Sequence, residues 1–370
     1  MKTVLPRQEF SDAISAALHL ISARTPREIL KCVKLSVAQD VLTLSATDGE
    51  TGLLMRVPVL SVDKPADVVV PAERLGPVIR EMSDLEITLE ADEHYCTIRG
   101  EGSEIRLFVK DAADFPPVAS FDDEADLVVD GRELARMISL TVYAAARETS
   151  RYAINGVLWQ KRDKQLFLVA TDGRRLARAG GEPAESNSAD FEAILPAKTM
   201  AVYERVLGAH DGDEGIRIRF TPNQVLLAAS DRVLSSVLLE GTFPKYEDVI
   251  PAEHDKRAKL NREEFLSAVR RASLLTDDES RAVKLSFGDD KLVITSQTPE
   301  QGDARIEVPV EYEGEPLAIG FNPAFLTEAL RAMSYDEVVF ELHEPFKPGV
   351  LSGGNREEFL YVVMPVSLSQ

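Results

Sequence analysis

The sequence predicts an α+β protein made of three tandem copies of one domain, each with two helices packed on antiparallel sheets. Two observations carry this reading. The segments CVKLSVAQDVLTLSATDGE from Cys32, GVLWQKRDKQLFLVATDGR from Gly156 and AVKLSFGDDKLVITSQTPE from Ala282 share one alternation of apolar residues and turns, and their threonines Thr47, Thr171 and Thr295 are spaced 124 residues apart at both steps. The tetrad Val33-Lys34-Leu35-Ser36 also recurs unchanged as Val283-Lys284-Leu285-Ser286.

Each copy opens with an amphipathic helix. Its apolar stripe is Phe10, Ile14, Ala17, Leu18 and Ile21 in the first, Leu134, Met137, Ile138 and Val142 in the second, and Phe265, Ala268, Val269 and Ala272 in the third. A second helix is entered through VPAERL at 70, LPAKTM at 195 and FNPAFL at 321, with Pro71, Pro196 and Pro323 where a first turn tolerates a missing N–H. Alternating strands follow, beginning with LEITLEA from Leu85, IRIRF from Ile216 and VVFEL from Val338. The count expected is seven or eight strands per copy. Polar stretches at Ser120–Asp126 and Pro251–Arg257 read as linkers, which gives domains at 1–120, 127–251 and 257–370.

The 44% hydrophobic and 28% charged content is that of a globular chain, and no uninterrupted apolar run long enough for a membrane span is present. Without a signal-peptide pattern after Met1, a cytoplasmic location is expected. Cys32 and Cys96 lie outside any CxxC spacing and read as small core residues. A net charge of −20 argues against a sticky nucleic-acid binder and confines any DNA contact to one face.

Size then constrains what three copies can enclose. A 120-residue domain is a globule roughly 35 Å across, and three in contact leave a hole of only about 5 Å. Six enclose roughly 35 Å, enough for a duplex near 20 Å wide, so two chains joined head to tail could encircle DNA. The helices carry Arg7, Arg74, Arg80, Arg132, Arg136, Arg147, Lys198, Arg205, Arg262, Arg270, Arg271 and Arg331. For any one of them a solvated helix face is the simpler reading, given acidic neighbours such as Glu73, Glu133, Glu204 and Glu264. The functional reading rests on six helices sharing the bias in an acidic chain.

VATDGRRLA (169–177), FPKYEDVIP (243–251) and YVVMPVSL (361–368), in order with RYAINGVLW (151–159) and KDAADFPPV (110–118), resemble the bacterial DNA polymerase III β subunit family of sliding clamps along the whole chain. The resemblance implies a head-to-tail homodimer of six DNA-clamp domains with helices lining a channel for duplex DNA, read without sequence specificity. It implies a hydrophobic pocket for short peptides of the polymerase III catalytic subunit, the clamp loader and repair proteins. Carried over by position, the pocket comprises Ile154, Thr171, Gly173, Arg174, Arg175, Leu176, Pro244, Val249, Asn322, Phe325, Val362, Val363, Met364, Pro365 and Val366. Ile105 and Leu107 would meet Leu274 and Leu275 of a second chain at the dimer seam, and Arg24, Arg74, Arg80, Lys198 and Arg205 are the DNA-contact candidates. The chain departs from the family in three places: Ser367 before Leu368, the added Ser369-Gln370, and Ser280 where an aromatic is usual.

An enzymatic reading has little to stand on. Asp48 and Asp172 of the two Thr-Asp-Gly turns could act as bases, but an Asp-Gly turn between strands explains them more simply. His19, His94, His210, His254 and His343 show no ligand spacing, and Walker A, GxSxG and GxGxxG patterns are lacking. No catalytic residue, metal or cofactor is expected. The function expected is a processivity clamp that holds a polymerase at high local concentration by encirclement. The alternatives are a monomeric three-domain adaptor that collects partners without enclosing DNA, and a hydrolase dependent on Asp48 or Asp172.

Overall fold

The computed structural model describes residues 1–122, 124–148, 152–207, 215–276, 282–288, 290–298 and 301–368. They contain 27 strands and six α-helices, nine strands and two helices per repeat. The first repeat holds β1 (Lys2–Pro6), α1 (Arg7–Leu20), β2 (Cys32–Ala38), β3 (Val41–Thr47), β4 (Thr51–Pro58), β5 (Ser61–Lys64), β6 (Ala66–Pro71), α2 (Ala72–Glu81), β7 (Glu86–Ala91), β8 (Tyr95–Gly100) and β9 (Ser103–Phe108). The second holds β10 (Leu127–Val129), α3 (Gly131–Ser139), β11 (Gly156–Arg162), β12 (Gln165–Thr171), β13 (Arg175–Gly181), β14 (Glu185–Ser186), β15 (Phe191–Pro196), α4 (Ala197–Leu207), β16 (Ile216–Phe220), β17 (Gln224–Ala229) and β18 (Arg232–Val237). The third holds β19 (Lys256–Asn261), α5 (Arg262–Ala272), β20 (Val283–Phe287), β21 (Lys291–Thr298), β22 (Gly302–Pro309), β23 (Glu311–Glu313), β24 (Leu317–Phe321), α6 (Pro323–Ala332), β25 (Glu337–Leu342), β26 (Gly349–Ser352) and β27 (Phe359–Val363).

Nine strands exceed the seven or eight expected, because β5, β14 and β23 are two to four residues long and mostly exposed. They lack the apolar alternation that marks a strand in sequence. The stripe of α5 forms as the periodicity predicts, with Phe265, Ala268, Val269 and Ala272 buried. In α1 Phe10, Ile14 and Ala17 are buried, joined by Ala13 and Leu20, whereas Leu18 is half-buried and Ile21 falls after the helix end at Leu20. In the second repeat the stripe stops short of Val142. Helix α3 ends at Ser139, and the Thr141 hydroxyl donates back to Met137 O at 2.8 Å, a competing bond that closes a helix end. Val142 opens a separate 3-10 turn, 142–144. The second linker is also shorter than expected, since Lys256 and Arg257 are already paired within β19.

Each repeat divides its strands between a five-stranded and a four-stranded sheet, all pairs antiparallel. In the first repeat the five-stranded sheet is ordered β5-β1-β7-β8-β9. The four-stranded set β4-β3-β2-β6 is joined through β4 to β18, giving the nine-stranded order β14-β10-β16-β17-β18-β4-β3-β2-β6. The same join through β13 and β27 makes β15-β11-β12-β13-β27-β26-β25-β19-β23. The third repeat's four-stranded set, β22-β21-β20-β24, is left by itself. The residues accordingly pack as two compact units that cut across the repeats: Met1–Ala135 with Pro183–Ser188 and Lys198–Leu238, and Arg136–Glu182 with Ala189–Ala197 and Leu239–Gln370. In the first unit β9 is an open edge, and in the second so is β22.

Candidate functional site

The richest constellation lies in the second unit, where β13 of the second repeat pairs with β27 of the third. It starts from the turn before β13. The Asp172 carboxylate accepts from Arg174 N at 2.9 Å and Arg175 N at 3.2 Å, Thr171 Oγ1 donates to Arg175 O at 2.6 Å, and Gly173 sits at φ +85°. A side chain there would be strained in the left-handed region. Asp48, Thr47 and Gly49 build the same turn in the first repeat, so the Thr-Asp-Gly motif is architectural. In the third repeat the strand registers set Thr295 at the place of Ser45 and Gln297 at the place of Thr47, so the even 124-residue spacing of the threonines does not mark equivalent positions there; the motif is absent and the β21–β22 hairpin runs on to Thr298 opposite Gly302.

Arg175, 9% exposed, is the hub of this constellation. Its guanidinium donates to Asp172 Oδ2 at 3.0 Å and Tyr143 O at 2.7 Å, pairs with Glu328, and lies 4.6 Å from the Phe325 ring centroid. Burial opposes its charge, but Tyr361, Glu328 and Asp172 outweigh burial and raise its pKa, so it stays protonated. Tyr361 in turn donates to Phe325 O at 3.0 Å. These contacts fasten α6 of the third repeat to β13 of the second.

A groove of about 510 Å³ opens beside this hub, with Ile154, Arg174, Arg175 and Phe325 on its walls. Ile154 also packs on a buried apolar cluster containing Leu176, Phe243, Tyr246, Leu360 and Val362. Pro244 is half-buried beside Phe243, and Val249 is half exposed at the end of the 3-10 turn 246–249. Asn322 has a local role, capping α6 by accepting from Ala324 N at 2.9 Å. Val363 is buried and paired with Arg175; Met364, 41% exposed, donates its N–H to Arg174 O at 2.9 Å. Pro365 and Val366 are half-buried. Sequence reasoning missed Tyr143 and Glu328, read Asp172 only as a turn residue or base, and counted Arg147 among the helix cations, whereas it lies beyond α3 in the Ala145–Glu148 wall of the groove. Glu328 carried a readable signal, being one helical turn beyond Phe325 on α6. Ser280, Ser369 and Gln370 lie outside the described residues.

The equivalent join in the first unit carries a smaller apolar cluster, Leu226, Ala228 and Val233 packed with Leu54, Ala119 and Phe121. Gly52 occupies the place of Leu176, and Ser235 and Ser236 replace Val362 and Val363. A Cβ on Gly52 would come within 2.7 Å of Ser235 Oγ and 2.9 Å of Val118 Cγ1, so Val118 already fills that space.

The cation candidates separate by what they already hold. Arg24, Arg74 and Arg80 are exposed. Lys198 is paired with Asp48, and Arg205 Nη1 lies 3.4 Å from His19 Nδ1. Burial pushes the Asp48 pKa up, but the Lys198 ammonium and the Thr51 and Glu50 amides outweigh it and hold the carboxyl below its ordinary 3.8. Arg7 and Arg262 are structural, donating from Nε to Asp84 O at 2.9 Å and Tyr335 O at 2.8 Å in their repeats. Ile105 and Leu107 are half-buried on the edge strand β9, Leu275 is half-buried, and Leu274 is 79% exposed. Among the described residues no cluster of three His, Cys, Asp or Glu could hold a metal, and no helix is long and apolar enough to cross a membrane.

Three repeats of two helices on antiparallel sheets, fused strand to strand, form the three-domain fold of the DNA sliding clamps. Residues 1–119, 128–245 and 247–367 match the N-terminal, central and C-terminal domains of the DNA polymerase III beta subunit. The chain belongs to the DNA polymerase III beta subunit family. Curated beta sliding clamps of Caulobacter vibrioides, 29% identical over 99% of this chain and 100% of its own length, and of Escherichia coli K12, 28% identical over 100% of both, are among its relatives. The crystal structure of a Pseudomonas aeruginosa sliding clamp bound to griselimycin superposes with a TM-score of 0.93 at 28% identity, covering 100% of both chains. The protein is thus a processivity clamp and not an enzyme.

Proposed function

We propose that two copies of this chain close head to tail into a ring around duplex DNA by pairing β9 of one with β22 of the other. The domains 1–120, 127–251 and 257–370 supply three of the six sectors. One observation carries this reading: each internal join pairs the last strand of one repeat with the fourth strand of the preceding repeat, and among the described residues β9 and β22 are the two such strands with no strand on their second edge. Transferring the register of Arg232↔Met55 through Ser236↔Thr51 sets Glu104 opposite Arg305, Ile105 opposite Ala304, Arg106 opposite Asp303 and Leu107 opposite Gly302. Both charged pairs are of opposite sign, as cross-strand neighbours should be. Leu274 and Leu275 follow α5 and would be covered at the same seam. Sedimentation tests the assembly: a species of twice the 40.8 kDa chain mass at micromolar concentration supports it, and a persistent single-chain mass favours the monomeric adaptor.

In this ring the helices face DNA, and Arg24, Arg74 and Arg80 touch phosphates, positioning the duplex without reading bases. Lys198 is neutralised by Asp48 and contributes less, while Arg205 keeps its charge beside the His19 ring. The groove around Ile154, Leu176, Phe325, Val362 and Met364 receives short peptides of the polymerase III catalytic subunit, the clamp loader and repair proteins. Apolar Ile154 and Phe325 set among charged side chains, with the buried cluster behind Ile154, suit an extended segment with apolar anchors. The clamp works in the cytoplasm at the nucleoid.

A further inference from the structure

The three repeats share an anchor that ends differently in the third. After its last strand, each repeat sends the chain back against the strand that leads into its second helix: Lys110 N donates to Val69 O at 2.8 Å, Leu239 N to Ile194 O at 2.8 Å, and Val366 N to Gly320 O at 2.9 Å. The strand registers make Val69, Ile194 and Gly320 equivalent. Two repeats therefore fill this position with a β-branched side chain, and the third leaves a notch. Leu368 occupies it: a Cβ on Gly320 would lie 2.7 Å from Leu368 Cδ2, 2.9 Å from its Cγ and 2.7 Å from Val366 O.

This notch bears on the groove because the seated segment is part of it. The tail is held at Met364, whose N–H bonds to Arg174 O on the groove wall, and again at Gly320, two residues before the Asn322 cap of the helix that presents Phe325. Between these points run Met364, Pro365 and Val366. We propose that Gly320 and Leu368 form a latch that fixes this segment across the groove, making both positioning residues for capture of the partner peptide. The latch rests on the peptide-groove reading above. It also gives the altered tail a role, since Leu368 anchors whatever residue precedes it.

The test measures binding of a fluorescein-labelled short extended peptide carrying an adjacent Leu-Phe pair as its apolar anchors to the full-length chain by anisotropy. Gly320→Val fills the notch as Val69 fills its counterpart, and Leu368→Ala empties it from the tail side without touching β24. Each variant is expected to bind the peptide about tenfold more weakly, with unchanged thermal midpoint and oligomeric mass, while Leu368→Met keeps wild-type affinity. Wild-type affinity in Leu368→Ala overturns the latch and leaves the groove standing, and it decides the matter should Gly320→Val not fold. Absence of peptide binding by the wild-type chain overturns the groove reading and the latch together.

Discussion

Reversing one charge at the proposed seam should split the ring, and reversing its partner should restore it. Arg106 and Asp303 are both exposed and come face to face only if β9 and β22 pair in the register of the internal joins. Within one chain Arg106 bonds Glu104 at 2.9 Å, so the substitution removes only a surface contact of small value there. Directly opposed charges in an antiparallel pair contribute roughly 0.2–1 kcal/mol, and like charges cost about as much, so Arg106→Glu should change one seam by about 0.4–2 kcal/mol. A closed dimer has two identical seams, which doubles this to about 0.8–4 kcal/mol, or roughly 4- to 700-fold in the dimer Kd. Sedimentation equilibrium of Arg106→Glu, Asp303→Arg and the double variant completes a double-mutant cycle. The reasoning predicts two weakened single variants and a double variant near wild type. A double variant as weak as the sum of the singles would refute the register.

Other expectations follow from contacts within each unit. Arg175→Met removes a bond to Tyr143 O and separates Asp172 and Glu328 from their cation; with hydrogen bonds to charged groups near 1.5–3 kcal/mol, a loss of about 2–3 kcal/mol is expected in thermal unfolding, together with weaker peptide binding. The Asp48 pKa is lowered in the folded protein, so its pairing with Lys198 stabilises above the ordinary carboxylate value and is lost as pH falls through the folded value. Wild type should therefore exceed Asp48→Asn in urea midpoint at about pH 7, with an advantage that shrinks as pH falls below the ordinary 3.8; an advantage that does not shrink in acid would contradict the assignment. Arg74→Glu and Arg80→Glu should each weaken DNA binding at low salt and flatten the salt dependence by about 0.9 in log–log slope per lost phosphate contact, and unchanged slopes would place these residues off the DNA path.

Much of this architecture is visible in the sequence because repetition multiplies weak signals. The stripe Phe265, Ala268, Val269 and Ala272 is ordinary alone, but gains weight from Phe10, Ile14 and Ala17 at the same place in an earlier copy. What stayed hidden depends on partners remote in the chain. Nothing local in RVLSSV or TGLLMRVP announces that β18 and β4 pair, because edge-to-edge pairing uses backbone groups common to every residue. Val142 misled because its spacing continues a stripe that Thr141 ends by bonding back to Met137. In the groove, the apolar anchors could be placed by resemblance, whereas the grip of Arg175 on Asp172, Glu328 and Tyr143 joins elements up to 153 residues apart and required coordinates. Lys198 was legible as a cation and illegible as Asp48's partner for the same reason.

Encirclement is the central claim, and retention on closed DNA tests it most directly. The chain, loaded on a nicked circular plasmid and washed at high salt, where contacts to phosphates are screened, should remain bound. It should leave once a restriction enzyme linearises the circle. Loss at equal rates from circular and linear DNA would contradict the account.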